Sequence, residues 1–452
     1  MSLNCDIAII GGGPAGSTAA SLLSKQGFNV VLFEKEKFPR HHVGESLLPF
    51  CYDIFEELGV LDQMKKRFLR KPGAVFCDAE GTMETTYCFK NVIDKPKHLS
   101  FHVRRDEFDN MLLQNAVKSG AKVHQETTVI KVDTESKNPT ITFKNKSQTT
   151  EKINAKFVLD ASGREGVLSR LNNWRIPSKD LDRIAFHSYW NFDEIPEEIK
   201  LGMIRIVYLG GEKKGWIWCI PVNSKRISIG LVVDNASIKN YKKNDNSSDW
   251  AKSLYASELK SSHFVNEMLS EAKCDEKIWI NGDYSYTSKQ KFGSNFAMIG
   301  DSGQFIDPIF SSGVFIAMKS AQLVSSKLPQ YLEDGEIVHL ENVFNVISNG
   351  YETVEELIKL YYNPEQLNFS SMANIDEKDK DSFSDFKQSY ALLHYLLAGD
   401  FFERGHIYKE FFKELKSEKK FKRWKTLVDW DSEKSGVYYA KGENCGEHLI
   451  HN

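Results

Sequence analysis

The stretch from Asp6 to Glu34 constrains the fold more than any other part of the chain. Asp6-Ile7-Ala8-Ile9-Ile10 is a short apolar run of buried-strand type, Gly11-Gly12-Gly13-Pro14-Ala15-Gly16 follows it, and Ala19, Ala20, Leu22 and Leu23 then recur at helical spacing. A second apolar run, Val30-Val31-Leu32-Phe33, ends at Glu34, where an acid would accept hydrogen bonds from a ribose. In the order strand, turn, helix, each glycine has a task. Gly11 permits the tight turn, Gly13 leaves room where a pyrophosphate must approach backbone N–H groups, and Gly16 lets the helix close on the sheet. The pattern predicts a dinucleotide site made by Gly11, Gly13, Pro14, Ala15, Gly16, Glu34 and the adjacent Lys35. Glu34 suits an unphosphorylated ribose, which leaves FAD and NAD ahead of NADP.

Composition sets the outer bounds. With 452 residues, 41% of them hydrophobic, the chain can bury a core and suits two or three packed units. Its net charge of −3 gives no summed positive field for a nucleic-acid backbone, so nucleic acid is not an expected partner. The seven cysteines are scattered and never spaced as CxxC, which argues against a disulfide framework and a metal site and for a reducing cytoplasm. The run Ile7 to Ile10 is too short for a secretory core, and no stretch approaches the ~18 apolar residues of a spanning helix. The expectation is a cytoplasmic protein that does not enter a membrane.

Four later segments extend the first signal. Phe38 to Ser46 holds Arg40, Gly44, Glu45 and Ser46; Val103 to Asp109 holds Arg104; Val158 to Arg164 holds Asp160 and Gly163; Ala297 to Asp301 ends on Gly300 and Asp301. The last two are apolar strands running into an acid or glycine, where open α/β sheets bind ligands. Together these segments resemble the FAD-binding monooxygenase superfamily. The resemblance implies FAD, an acid at Asp301 near the flavin ribityl chain, and Arg104 near the cofactor. Asp106 reads as a helix N-cap and Arg105 as a surface charge.

The expected fold class is α/β: a Rossmann-like FAD domain of the GR2 type, an inserted and mostly antiparallel substrate-side sheet, and a C-terminal helical region. The alternating patterns place the FAD domain at 1–72, 103–183 and 280–340, the insert at 73–102 and 184–279, and the helices at 341–452. Asp133 to Lys152 reads as a solvated hairpin and Asp234 to Trp250 as a connecting loop. The acidic polar stretch Ser370 to Ser389 reads as a flap. The aromatic residues after Glu341, and Tyr284 and Tyr286, are mostly explained by core packing.

A second set of residues narrows the reaction. Gly215-Trp216-Ile217-Trp218-Cys219-Ile220-Pro221 puts two tryptophans on one face of a strand. Gly300 to Val314 reads as a loop entering a helix, whose free N–H groups at Ser311, Ser312 and Gly313 suit an anion. With the FAD segments, the GWxWxIP run and the pattern Phe305, Pro308, Ser311, Gly313 resemble the flavin-dependent halogenases of phenol or pyrrole type. The resemblance implies that Trp216 and Trp218 partition flavin from substrate, that chloride or bromide sits at Ser311, Ser312 and Gly313, and that Lys71 is the catalytic lysine. It implies a reaction in which reduced FAD and dioxygen convert halide to hypohalous acid, which reaches an aromatic substrate at Lys71. No second glycine motif for a nicotinamide cofactor is present, so a separate flavin reductase is the expected partner. The tryptophan-specific branch carries a glutamate where this chain has Phe310, which points the substrate pocket toward phenols or pyrroles, free or tethered to a carrier protein. The basic run from Lys416 to Lys425 fits a solvated helix face better than a carrier dock. An oxygen-inserting flavin monooxygenase and a reductase of prenyl chains are the rival enzymes.

Overall fold

The computed structural model describes residues 3–93, 96–178, 182–200, 202–210, 215–245, 248–282, 285–363, 369–370, 392–415 and 445. The strand Leu3–Ile10 is central to the first sheet, parallel to Val30–Phe33 on one side and Thr150–Asp160 on the other. Lys122–His124 extends the sheet beyond the first and Phe296–Met298 beyond the second, both in parallel. Both faces of the central strand are covered, which is why it reads as a continuous apolar run rather than an alternating one. Ile7 and Ile9 pack in the core shared with the helices Pro14–Lys25, Arg105–Lys118 and Ser312–Asp334. Ala8 and Ile10 face a second core under the hairpin Thr128–Asp133 and Thr140–Lys144.

The second sheet runs in the order Glu84–Cys88, Gly73–Asp78, Ile204–Tyr208, Trp216–Asn223, Arg226–Asp234, Arg183–Asn191. Neighbours are antiparallel except Gly73–Asp78 and Ile204–Tyr208. Alternation along the strand Trp216–Asn223 divides its side chains between two cores. Ile217 and Cys219 turn outward with Leu254, Tyr255 and Leu259 of the helix Trp250–Ser261, whereas Trp216, Trp218 and Ile220 face the core of the nucleotide-binding layer. The helices Val338–Tyr361 and Gly405–Leu415 pack on each other.

Several expectations change here. Asp234 to Trp250 is not a connecting loop: Asn235–Asn244 is a helix, with Asp234 accepting from the Ser237 N–H at 2.7 Å. Its polar composition reflects a helix that buries little beyond Ile238. The stretch 184–279 also contains the helices Trp250–Ser261 and His263–Met268. Ser100–His102 pairs with Leu69–Lys71 in a ladder of its own, and Trp279–Asn281 adds to the second sheet beside Arg183–Asn191. Cys88 and Cys445 are joined in a disulfide across 357 residues, a pairing that spacing along the chain does not disclose. Among the described residues, no helix is long and apolar enough to cross a membrane and no acidic, histidine or cysteine cluster is arranged for a metal. The run from Lys416 to Lys425 and most of Ser370 to Ser389 lie outside the described residues, as do Asp283, Tyr284 and Tyr390.

Candidate active site

A cavity of about 540 Å³ opens at the carboxyl ends of the parallel strands. Its walls come from the glycine turn after Ile10, from Glu34 to Glu36, from Arg40 to Ser46, and from Ala161 to Glu165. Trp216, Trp218, Trp279, Asp301, Ser311 and Gly313 also contribute.

The glycine turn has the geometry its sequence implies. Gly11 has φ +101°, and a Cβ there would lie 2.4 Å from the Ala161 carbonyl oxygen. A Cβ on Gly16 would lie 1.9 Å from the Gly11 oxygen, so Gly16 serves helix–strand contact and does not line the cavity. At Gly13 the nearest atom would be Arg40 Nη2 at 3.7 Å, which leaves that face of the turn open to the cavity. Glu34, 5% exposed, accepts the Gly12 N–H at 2.7 Å and the Glu36 N–H at 2.8 Å, so its carboxylate is aimed before any ribose arrives. Lys35 pairs with Glu165 at 2.5 Å, and Arg40 with Asp109 at 3.1 Å. Burial raises the Asp301 carboxyl to about 6, offset in part by the charges of Arg164 and Arg105. These features fit a dinucleotide such as FAD: an open backbone turn, a pre-aimed acid, and a buried acid at the far end.

Three expected contacts lie elsewhere. Asp160 is fully buried and faces the following turn, accepting from the Ser162 N–H at 3.0 Å, the Ser162 hydroxyl at 2.5 Å and the Leu168 N–H at 2.7 Å. Its job is to hold the turn through Gly163, which does line the cavity. Gly300, with φ +60°, faces Ala317 of the helix rather than the cavity. The two arginines exchange the places read from sequence. Arg104 is half-exposed and pairs with Asp106 at 2.7 Å and Glu107 at 2.9 Å, whereas Arg105 is 5% exposed and lines the cavity. Arg105 grips Asp109 at 2.7 and 2.9 Å and donates to the Val43 oxygen at 2.5 Å, since position 105 opens the helix on the face that carries Asp109 one turn later. Arg104 is the residue before the first turn, so it, rather than Asp106, occupies the N-cap position.

Trp216 and Trp218 line the cavity with ring centroids 5.7 Å apart. Trp216 Nε1 donates to the Tyr362 hydroxyl at 2.8 Å, and that hydroxyl donates to Asp307 at 2.8 Å. Trp218 lies flat over Gly230, its cross-strand partner, where a Cβ would fall 2.0 Å from the indole. In the loop entering the helix Ser312–Asp334, the Ser311 N–H donates to the Pro308 oxygen at 2.9 Å, so it is not free as expected. Gly313 lines the cavity; Ser312 is buried behind it, its hydroxyl without a partner among the described residues.

Lys71 is 2% exposed and does not line the cavity. Its Nζ donates to the Leu47 oxygen at 2.9 Å and lies 5.3 Å from the Phe89 ring centre. Leu47 directly follows the cavity-lining Ser46, and the strand carrying both tryptophans packs against the strand Leu69–Lys71. Burial lowers the amine to about 7, offset in part by Cys51. Phe310 also stands outside the cavity, packed among Phe76, Tyr361 and Phe369 at centroid distances of 6.1, 6.0 and 5.6 Å.

Residues 4–338 match the family model for an FAD binding domain. A tryptophan 2-halogenase of Chondromyces crocatus is 36% identical over 336 residues, which cover 73% of this chain and 62% of that protein. The 1H-pyrrole-2-carbonyl-[peptidyl-carrier protein] chlorinase of Pseudomonas fluorescens is 32% identical over 387 residues, covering 79% of this chain and 83% of that one. This chain belongs to the flavin-dependent halogenases. The solved structure of the myxobacterial chondrochloren halogenase superposes with a TM-score of 0.70 at 26% identity, over 97% of this chain and all of that one. Within this halogenase frame, sequence reading missed Arg105, Gly230, Asp307 and Tyr362. Gly230 could be found only from strand register, and Tyr362 and Asp307 only from a contact spanning 55 residues.

Proposed function

We propose that the protein is a two-component halogenase that uses reduced FAD, dioxygen and chloride or bromide to halogenate an electron-rich aromatic ring. When bound, reduced FAD with dioxygen supplies the oxidising equivalent that turns halide into hypohalous acid. The chain's own residues then divide the work. The N–H groups of Ser312 and Gly313, at the positive end of a 23-residue helix, hold the halide. Trp216 and Trp218 keep the substrate ring from the flavin, and Lys71 receives the oxidised halogen. An amine lowered to about 7 by burial is available both as an ammonium that polarises hypohalous acid and as a free amine that carries halogen.

The observation that carries this reading is the isolation of Lys71. Among the described residues this buried lysine has no carboxylate partner, its ammonium meeting a backbone oxygen and the Phe89 ring. Burying an amine this way costs stability that packing alone does not repay. Phe310, in place of a carboxylate, supports a ring already activated by a hydroxyl or a pyrrole nitrogen. The pyrrole chlorinase relative supports a ring tethered to a carrier protein as one of the two substrate forms, the other being free.

The test supplies FAD, a separate flavin reductase, bromide and a panel of phenols and pyrroles, free and carrier-loaded. Lys71→Ala should lower ring halogenation about a hundredfold or more while flavin oxidation continues. Unchanged product formation would remove Lys71 from the reaction. Oxygenated rather than brominated products, with peroxide release indifferent to halide, would assign the chain to the oxygen-inserting monooxygenases.

A further inference from the structure

A line of hydrogen-bonding side chains runs along the cavity wall from an exposed residue to a buried one. His41 is exposed and lines the cavity; its Nε2 lies 3.4 Å from the Tyr189 hydroxyl. That hydroxyl donates to Glu45 Oε1 at 2.6 Å. Glu45 is 2% exposed, yet it too lines the cavity. We infer that His41, Tyr189 and Glu45 form a proton relay that resupplies a buried carboxyl at the cofactor cavity from bulk solvent.

The inference rests on the halogenase reading and says where one of its reactants enters. Oxidation of halide by reduced flavin and dioxygen consumes a proton: FADH2 + O2 + X⁻ + H⁺ gives FAD + HOX + H2O. Two electrons come from the flavin and two from the halide as it is oxidised; together they reduce dioxygen, one of whose oxygen atoms leaves with the halogen and the other as water. A carboxyl fixed at the cavity supplies that proton at a defined place, provided a route refills it.

The groups around the relay fit this task. Burial raises the Glu45 carboxyl above its ordinary range, although the hydroxyls of Ser228 and Tyr189 and the guanidiniums of Arg105 and Arg226 favour its charged form. Arg226 lies 4.3 Å from the centre of the Tyr189 ring. Burial holds the Tyr189 phenol protonated well above its usual value, so it passes protons along a hydrogen bond without resting as an anion. Although exposed at one edge, His41 is lowered by partial desolvation against its neighbours and by the charges of Lys277, Arg105 and Arg40, and raised by Asp106. Its ring is stacked on Trp279 at 4.2 Å, with His187 behind at 5.4 Å. A neutral, ring-clamped imidazole can take a proton on one ring nitrogen and give one from the other without swinging.

A purely structural role would be to brace the segment from His41 to Ser46, and the test separates the two. Holoenzyme is reduced anaerobically and mixed with oxygenated bromide buffer, and trapped hypobromous acid per reduced flavin is read across pH. Glu45→Gln should lower that yield about a hundredfold, and Tyr189→Phe about tenfold. The Tyr189→Phe loss should shrink as the pH falls or as a small acid buffer is raised. A deficit in Tyr189→Phe that neither pH nor buffer alters would overturn the relay, as would an unchanged yield in Glu45→Gln that still binds FAD. If Glu45→Gln fails to bind FAD, Tyr189→Phe alone decides. Infrared spectra of the cofactor-free chain add a readout independent of turnover. In difference spectra against the unaltered protein, a protonated-acid band should be lost in Glu45→Gln and shifted in Tyr189→Phe; absence of that difference band also overturns the relay. If the unaltered protein makes no hypobromous acid at any pH but shows the band, the halogenase reading fails and the protonated carboxyl stands.

Discussion

The walls of the cavity and the interior around Lys71 solve opposite problems with the same kinds of residue. At the mouth of the nucleotide turn, charged groups are satisfied before any ligand comes: Glu34 by two backbone N–H groups, Arg40 and Arg105 by Asp109. Around Lys71 the surroundings are backbone oxygen and aromatic rings, with no neutralising carboxylate among the described residues. The first arrangement fixes a shape, and the second leaves a reactive group poised. A cofactor that stays needs a rigid cradle, whereas an amine meant to react needs its proton loosely held.

This contrast can be broken or sharpened by substitution. Gly16→Ala drives a Cβ into the Gly11 oxygen and should cost about 4 kcal/mol or more, with loss of FAD retention, read by thermal unfolding and flavin absorbance. Arg105→Ala strands the fully buried Asp109 beside Arg40 alone and should cost about 3 kcal/mol. Lys71→Met should change sign and stabilise. The folded chain prefers the neutral amine, whose value of about 7 lies below the 10.5 of an ordinary lysine. The cost of burying Lys71 is therefore fully present below pH 7 and disappears as the pH rises toward 10.5. The stabilisation by Lys71→Met should be largest at neutral pH and below and fade in alkali; a gain flat in pH would mean the amine is not desolvated. Arg104→Ala, which removes two exposed ion pairs, should change stability by less than about 0.5 kcal/mol.

What could be read from the chain follows from the range of the forces involved. The turn through Gly11, Gly13 and Gly16 and the acid at Glu34 are local in sequence, so steric and hydrogen-bond rules locate them directly. The face shared by Trp216 and Trp218 follows from the period of a strand. Arg104 and Arg105 differ by one helical step, and the choice between them depends on where Asp109 meets Arg40, a tertiary fact. Asp160 looked like a ligand because it ends a strand, but its carboxylate is consumed by its own turn. The helix Asn235–Asn244 escaped because polar helices and polar loops share a composition when little is buried. The disulfide between Cys88 and Cys445 depends on how the chain closes over hundreds of residues.

Gly230 carries a consequence for how this wall can change. The Trp218 ring occupies the volume that any larger residue at 230 would need, so the two positions act as a lock and its matching blank. Trimming the indole alone leaves a hollow, and enlarging the glycine alone expels the indole; only a paired exchange keeps the layer filled. Diversification of this barrier, in nature or in a library, is therefore confined to coordinated moves on two adjacent strands.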